Sequence, residues 1–528
     1  MTQEIFTRKT SGLVRNVSLA NATLACMSVM CFYVPPIYTT LAVVGFPGLN
    51  LPLGALLALM FGMPTVLTYT LFAYTMTRSG GDYVYISRTL HPLVGFMAGF
   101  SVSLEYMVFC GIQNGWGIVF GLVTMFTIQA ELTGDAYWAG AAQALGSPIG
   151  IAAAGATLFI VIGLVVVSGT RNTFLCVQGI MMGSLLAFLG SLYLALTFPA
   201  EQFNVYWGME GMREAAYDTL PFLSALDGQW NDPMMTIRYA MYMSWMYPIQ
   251  AVGNIYQAGE IKGGGRTVLL SYIISSLVLV SVHVLMAEMI YYNTGGPEQF
   301  ASWVFLSVVR PDLVPVATGP LPPTFYTIAF FAGRNIVMTA ICGSLLLVVF
   351  GATLPTCMAF ACNRNWFAWS MDRVFPKKFS DIHPRFGVPV LTPWVLIAIG
   401  LIVLVLYAFT GAMAFTSILP LVFIAEYMIL SVAGMVLPFR RKDIYKGSGG
   451  DRSIGKVPVI TLVSVIGFVI YAIVLADTFR DPVFYGATYA LIPLAIFISG
   501  IVLYAISYGI RRRQGININL CYSEIPPE

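Results

Sequence analysis

Charge is scarce in this chain. Of 528 residues, 10% are Asp, Glu, Lys or Arg, and only three are His. An average soluble domain carries about 25% charged residues. That deficit, set beside 58% hydrophobic residues, excludes a soluble globular protein. The net charge of +3 is small and by itself says nothing about nucleic acid; no such partner is expected. Metal-like cysteine spacing is also missing: none of the eight cysteines forms a Cys-x-x-Cys pair. Cys26, Cys31, Cys110, Cys176, Cys342, Cys357 and Cys362 lie in or beside apolar runs, and Cys521 lies in the tail. They read as small packing residues rather than disulfide partners. The glycine run Lys262–Thr267 lacks the GK[ST] ending of a phosphate loop and reads as a hinge. No nucleophile–base or metal constellation appears. Neither an enzymatic activity nor a cofactor is therefore expected, and transport would be passive or ion-driven unless a separate subunit supplies ATP.

Long apolar runs are what the chain has. Twelve occur, at about 17–46, 52–76, 93–128, 149–167, 174–198, 235–258, 267–292, 335–361, 389–409, 412–438, 457–476 and 484–509. A membrane helix needs about 20 such residues. Phe300–Val309 and Thr324–Gly333 are too short to cross and are expected as surface helices capping one side. The first run is too long for a signal-peptide core, so no cleavage is expected. With the amino terminus inside, inner segments hold 22 of the 27 Lys and Arg, against five outside (Arg213, Arg238, Arg310, Arg334 and Arg480). Both termini are thus expected to be cytoplasmic. The outer loop carries Glu201, Glu210, Glu214, Asp218, Asp227 and Asp232 and reads as solvated.

Two spans are broken. The first contains Pro35–Pro36 in "SVMCFYVPPIY", and the sixth contains Pro248 and Gly253 in "YMSWMYPIQAVGNIYQAGE". As one helix the first span would measure about 45 Å, against a core of about 30 Å. Interrupted helices five spans apart are the signature of inverted repeats with a midplane binding site. The expected fold class is an all-α membrane protein of twelve transmembrane helices, a 5+5 inverted repeat plus two C-terminal helices. It divides into an N-terminal segment 1–16, a first repeat 17–198, an outer loop 199–234, a second repeat 235–438, an inner loop 439–456, the last two spans 457–509 and a tail 510–528.

Several loops carry a resemblance. "SGGDYVYISRTLHPLVGFMAGF" (Ser79–Phe100), "SGTRNTFLCVQG" (Ser168–Gly179), "AGEIKGGGRTV" (Ala258–Val268) and "LPFRRKDIY" (Leu437–Tyr445) resemble segments of the amino acid–polyamine–organocation (APC) permeases. "NRNWFAWSMDRVFPKKFSDIHPRFGVPV" (Asn363–Val390) is the most specific of them. The resemblance implies a LeuT-like fold in the cell membrane and uptake or exchange of amino acids or related amines by alternating access. The partners implied are a small-molecule substrate and the lipid bilayer; the oligomeric state is left open. Relatives carry a glycine-rich break in the first helix, where this chain has Ser28, Val29 and Met30, and an aromatic and an acid in the sixth, where it has Gln250, Ala251 and Val252. A substrate differing from the usual one is expected there. A non-transporting sensor or subunit with the same fold, and a transporter of a non-amino-acid solute, stay open as alternatives.

The candidate solute-binding residues follow from the breaks and the resemblance. They are Ser28, Val29, Met30, Cys31 and Phe32 on the first helix, and Trp245, Met246, Tyr247, Ile249 and Gln250 on the sixth. The third contributes Glu105, Tyr106, Cys110 and Gln113, whose spacing keeps most of them near one helical face. Phe32, Trp245 and Tyr247 are also expected to gate. A carboxylate inside a membrane span is costly and marks function. Glu105 is read either as the partner of a substrate cation or as a proton carrier, and Glu426 as a coupling candidate or an inter-helix hydrogen bond. Glu288 reads as reaching the interface and His283 as packed. The coupling ion is left open between H+ and Na+. The lysine that replaces sodium in some proton-driven relatives is missing from the fifth span. Sodium would need first-helix carbonyls plus eighth-span hydroxyls, for which Thr339, Ser344, Thr353 and Thr356 are available; Thr339 and Ser344 are taken as the coupling candidates.

Overall fold

The computed structural model describes residues 15–197, 208–220, 230–314, 323–351, 353–383, 388–410, 414–480 and 487–522, with positions 201, 203, 204, 223, 386 and 525. Residues 1–14 of the N-terminal segment and Asp227 of the acidic loop lie outside the described residues, as does the side chain of Thr353.

Among the described residues, ten helices are long and apolar enough to cross a membrane. They take positions 1 (Leu19–Gly45), 2 (Leu51–Thr75), 3 (Pro92–Thr133), 4 (Pro148–Val167), 5 (Thr170–Thr197), 7 (Gly264–Thr294), 9 (Leu391–Thr410), 10 (Pro420–Arg440), 11 (Val459–Arg480) and 12 (Leu491–Arg513). Positions 6 and 8 are filled by interrupted rods. Span 6 is an α-helix over Pro233–Met243 followed by 3-10 turns from Ser244 to Glu260. Span 8 runs Ile336–Phe350, then through a wide turn over Cys357–Cys362 into Asn363–Met371.

Span 1 packs on span 6, span 2 on span 7, span 3 on span 8 and span 4 on span 9. The first four spans thus each meet the span five places later, the pattern of two inverted five-helix units. Small residues permit the approach, the usual device where lipid offers no hydrophobic drive. A Cβ on Gly163 of span 4 would fall 2.3 Å from Ile397 Cδ1 of span 9, and one on Gly400 would fall 2.2 Å from Phe159 Cζ. The outward faces of these spans carry exposed apolar side chains such as Ile160, Leu164, Leu189, Ile402 and Leu406.

Several expectations change. The third span extends to Thr133 rather than 128, and an unanticipated helix, Ala136–Gly146, follows it. The two short apolar pieces are helices, Pro297–Val309 and Phe325–Gly333, but they are buried rather than on the surface. Helix Met209–Thr219 of the acidic loop covers the first of them, and Tyr217 and Arg213 both bond Glu298. That loop is therefore partly structured, while its acids Glu201, Glu210, Glu214 and Asp218 are exposed. The stretch between spans 2 and 3 contains a nine-residue helix, Gly81–Thr89, every residue of which is buried. It opens on Gly80 and Gly81 at φ 113° and 47°, a backbone that glycine adopts without a Cβ penalty.

Candidate solute site at two broken helices

The break in span 1 lies at Cys31–Tyr33, just before the prolines. Pro35 and Pro36 occupy the first turn of the second half, Val34–Gly45, where proline is tolerated. Lacking N–H groups, they leave the carbonyls of Cys31 and Phe32 without the usual helical donors. Tyr326, from the buried helix Phe325–Gly333, donates its hydroxyl to Phe32 O at 2.6 Å. Tyr33 donates to Val29 O.

Span 6 repeats the device. Tyr427 of span 10 donates to Trp245 O at 3.4 Å, and Tyr272 of span 7 donates to Pro248 O at 2.8 Å. Gln257 Nε2 donates to Gly253 O at 2.6 Å. Gly253 permits close contact with the first half of span 1: an added Cβ would lie 2.1 Å from Cys26 N and 2.3 Å from Ala25 C. Gln250 Oε1 accepts from Ser275 at 2.7 Å and Ser276 at 3.3 Å, while its Nε2 has no partner among the described residues.

The first-helix candidates are all buried. The Ser28 hydroxyl meets Thr356 Oγ1 at 2.7 Å and donates to Ala25 O at 2.8 Å. The Cys31 thiol points to Ser275 O at 3.7 Å. Phe32 packs on Phe188, with ring centroids 5.8 Å apart. Val29 and Met30 fill the space where relatives carry glycine, with no exposed surface. On span 6, Met246 and Ile249 are buried, and Tyr247 donates to Ala55 O at 3.4 Å.

Trp245 lies parallel to Phe423 at 6.1 Å and edge-on to Tyr38 at 5.4 Å. Tyr106 packs on Phe423 at 5.2 Å. The Glu105 carboxyl is an electrostatic neighbour of Tyr38. Its Oε1, both amide atoms of Gln113 and the indole N–H of Trp245 are buried without a hydrogen-bond partner among the described residues. Such groups cost about 1–3 kcal/mol each when left bare; of these, Glu105 and Trp245 share Tyr38 as a neighbour. Cys110 stands instead against Cys357 of span 8.

The coupling candidates are dispersed. Thr356 is the eighth-span hydroxyl that reaches span 1. Thr339 is buried with its hydroxyl unpartnered among the described residues, and Ser344 points to Met125 Sδ at 3.7 Å. Among the described residues no three His, Cys, Asp or Glu side chains gather as a metal site. The oxygens of Ala25, Ser28 and Thr356 are the hard ligands available to a small cation. Glu426 accepts from Tyr69 at 3.1 Å. His283 pairs with Tyr239 at 3.0 Å, and Glu288 is exposed.

The site is shut on the amino-terminal side. Val17 bonds the backbone of Glu260 and Lys262 at 3.0 Å each. Arg364 forks onto Glu260 at 2.7 and 2.9 Å, with both side chains buried. Arg88 binds Asp372 at 2.7 Å, and Tyr522 of the tail lies under its guanidinium at 4.8 Å. On the far side a cavity of about 230 Å³ lies beside the Arg238–Asp477 ion pair (2.8 Å) and is lined in part by Phe46, Met241 and Tyr242. Asp82, Tyr256, Tyr272 and Tyr326 were not singled out as solute-site or coupling residues by sequence reasoning, whereas Thr356 was named there among the eighth-span hydroxyls available to sodium. The "GG-x-Y" loop signal points to the neighbourhood of Asp82, whereas the tyrosines carry no local signal.

Two five-helix units with facing breaks in their first members, enclosing bare polar groups, define a membrane transporter of the LeuT-like fold. The amino acid permease family model matches residues 17–504, and the chain belongs to that family. Among solved structures it is similar to the crystal structure of MhsT in complex with L-phenylalanine: TM-score 0.52, 17% identity, covering 88% of this chain and 99% of that one. That likeness bears on the fold alone. No curated protein sequence matches the chain.

Proposed function

We propose that the protein is a secondary active transporter that carries an amino acid or related organic amine across the cell membrane by alternating access. Its amino-terminal side is cytoplasmic, in keeping with the lysine and arginine bias. The solute lies between the breaks of spans 1 and 6, against span 3. Glu105 carries this reading: a buried carboxyl, bare at Oε1, beside an aromatic wall of Tyr38, Trp245 and Phe423. A carboxylate next to π-faces suits an ammonium group. Gln113 and Gln250 supply neutral donors and acceptors for the remainder of the solute. The Glu260–Arg364 and Arg88–Asp372 pairs close one side, and Phe32, Trp245 and Tyr326 the other.

Val29 and Met30, where a close backbone approach to a carboxylate would need small residues, favour an amine that depends little on a carboxylate. Flux assays in liposomes with labelled amino acids and polyamines, under imposed H+ and Na+ gradients, test the reading. Uptake or exchange of at least one such solute is expected. Specific binding without flux of any would favour a sensor.

A further inference from the structure

Two acids outside the solute site share one buried position. Asp82 lies on the helix Gly81–Thr89, and Glu426 on span 10; both are fully buried. Tyr256 donates to Asp82 Oδ2, and Tyr69 donates to Glu426 Oε2 at 3.1 Å. The two carboxyls stand within hydrogen-bonding reach of each other. Yet Asp82 Oδ1 and Glu426 Oε1 have no hydrogen-bond partner among the described residues. Two facing acceptors repel unless a proton lies between them, and like-charged carboxylates at such range do not both ionise.

Among the described residues the surroundings supply no neutralising cation. Asp82 faces Tyr69, Tyr85, Tyr106, Tyr256 and Tyr272. Glu426 also faces Tyr427 and Tyr471. Of the charged groups on the packed elements, Arg364 is engaged by Glu260 and Arg88 by Asp372, while Glu105 of span 3 is a further acid.

We propose that Asp82 and Glu426 hold one exchangeable proton between them and form the coupling site, with Tyr256 tying that proton to the broken sixth helix. In the closed state a Glu426 carboxyl donates to the Asp82 carboxylate. Tyr256 belongs to the 3-10 run Ile255–Glu260 beyond the break, so an outward swing of that run withdraws its hydroxyl and admits water. Loss of the hydroxyl alone would tighten proton binding, but hydration outweighs it, because burial is what keeps the pair from carrying two charges. The proton leaves to water on the amino-terminal side, both carboxylates remain ionised, and reclosure requires one proton to return. Tyr106 packs on both Tyr256 (6.3 Å) and Phe423 (5.2 Å), which joins this site to the solute wall.

The inference rests on the transport reading for the proton's consequence, not for its presence. The full chain in liposomes, without solute, is followed by infrared absorption of protonated carboxyls across pH. A carboxyl band is expected that loses its Asp82 part near pH 6 and keeps the Glu426 part, the shared proton, above it. Asp82→Asn and Glu426→Gln should each remove it or move its midpoint, in protein of wild-type helical content. Tyr256→Phe, which deletes one methyl-sized hydroxyl contact and leaves both acids, should raise the midpoint. A band unmoved by both acid variants, or a midpoint that Tyr256→Phe lowers or leaves unchanged, overturns the proposal. In flux assays with the labelled amino acid and polyamine panel, Glu426→Gln should keep exchange and lose the response to a pH gradient. Flux indifferent to that gradient in the wild type overturns the coupling role while the transport reading stands. A titrating pair without any flux supports the shared proton and counts against the transport reading alone.

Discussion

Replacing Gly253 by alanine places a methyl group in the backbone of span 1. Its Cβ would lie 2.1 Å from Cys26 N, 2.3 Å from Ala25 C and 2.5 Å from Cys26 Cα. Ordinary contact begins at 3.4 Å, so the two broken segments must separate by more than an ångström. Every neighbour named is backbone, and none of it can rotate away. Overpacking of this kind costs about 1–3 kcal/mol. The cost falls on the closed arrangement, since the methyl is harmless once spans 1 and 6 part. A penalty of that size shifts a closed–open equilibrium by about 5- to 150-fold. Cys26, buried at this contact with no exposed surface, reports the shift. Peptide-level mass spectrometry after maleimide treatment should show faster modification of Cys26 in Gly253→Ala than in the wild type. Gly179→Ala on span 5, where a Cβ meets nothing within 4 Å, should leave it unchanged. Equal labelling of Cys26 in Gly253→Ala and wild type, at an unaltered melting temperature, would refute the packing described.

Glu105→Gln removes a charged partner worth about 1.5–3 kcal/mol, so binding of cationic amines should weaken by about 10- to 150-fold; scintillation proximity binding checks this. Arg364→Ala leaves Glu260 as an uncompensated buried charge, at about 3–5 kcal/mol. The double variant Glu260→Ala with Arg364→Ala should melt above the single one, as thermal unfolding would show. Tyr522→Ala removes the hydroxyl contact to Tyr83 (2.9 Å) and the ring under Arg88. It should lower stability by about 1–2 kcal/mol, read as a drop in melting temperature that Tyr522→Phe only partly reproduces. Burial raises Asp82 from 3.8 to about 6, so the folded state binds more protons than the unfolded one. Its contribution is fully present below about pH 4 and is lost as pH rises through about 6; Asp82→Asn should flatten that slope in a pH series of melting curves.

The sequence carried the membrane class because hydropathy is summed over twenty residues and survives local error. The breaks were legible because proline and glycine mark them, though Pro35 and Pro36 prove to begin the second half-helix rather than to sit in the gap. The partners that settle each break were not legible. Tyr326, Tyr272 and Tyr427 reach the freed carbonyls from distant helices, and no local pattern announces a hydroxyl that bonds 294 residues away. The helix Gly81–Thr89 was hidden for a related reason. Its residues are polar enough to read as a loop, and only the network of Asp82, Tyr83 and Arg88 with partners on four other segments buries it. Glu105 stood out because a lone acid in an apolar run is rare; Asp82 did not, because its run is not apolar.

The central claim is that the solute lies between the two breaks and against Glu105. A cryo-electron microscopy structure with a solute identified by the flux screen tests it most directly. Density is expected to touch Glu105, the Cys31–Tyr33 turn and Gln250, with Trp245 closing over it. Density confined to the far-side cavity beside Arg238 and Asp477, with the space around Glu105 unfilled, would contradict it.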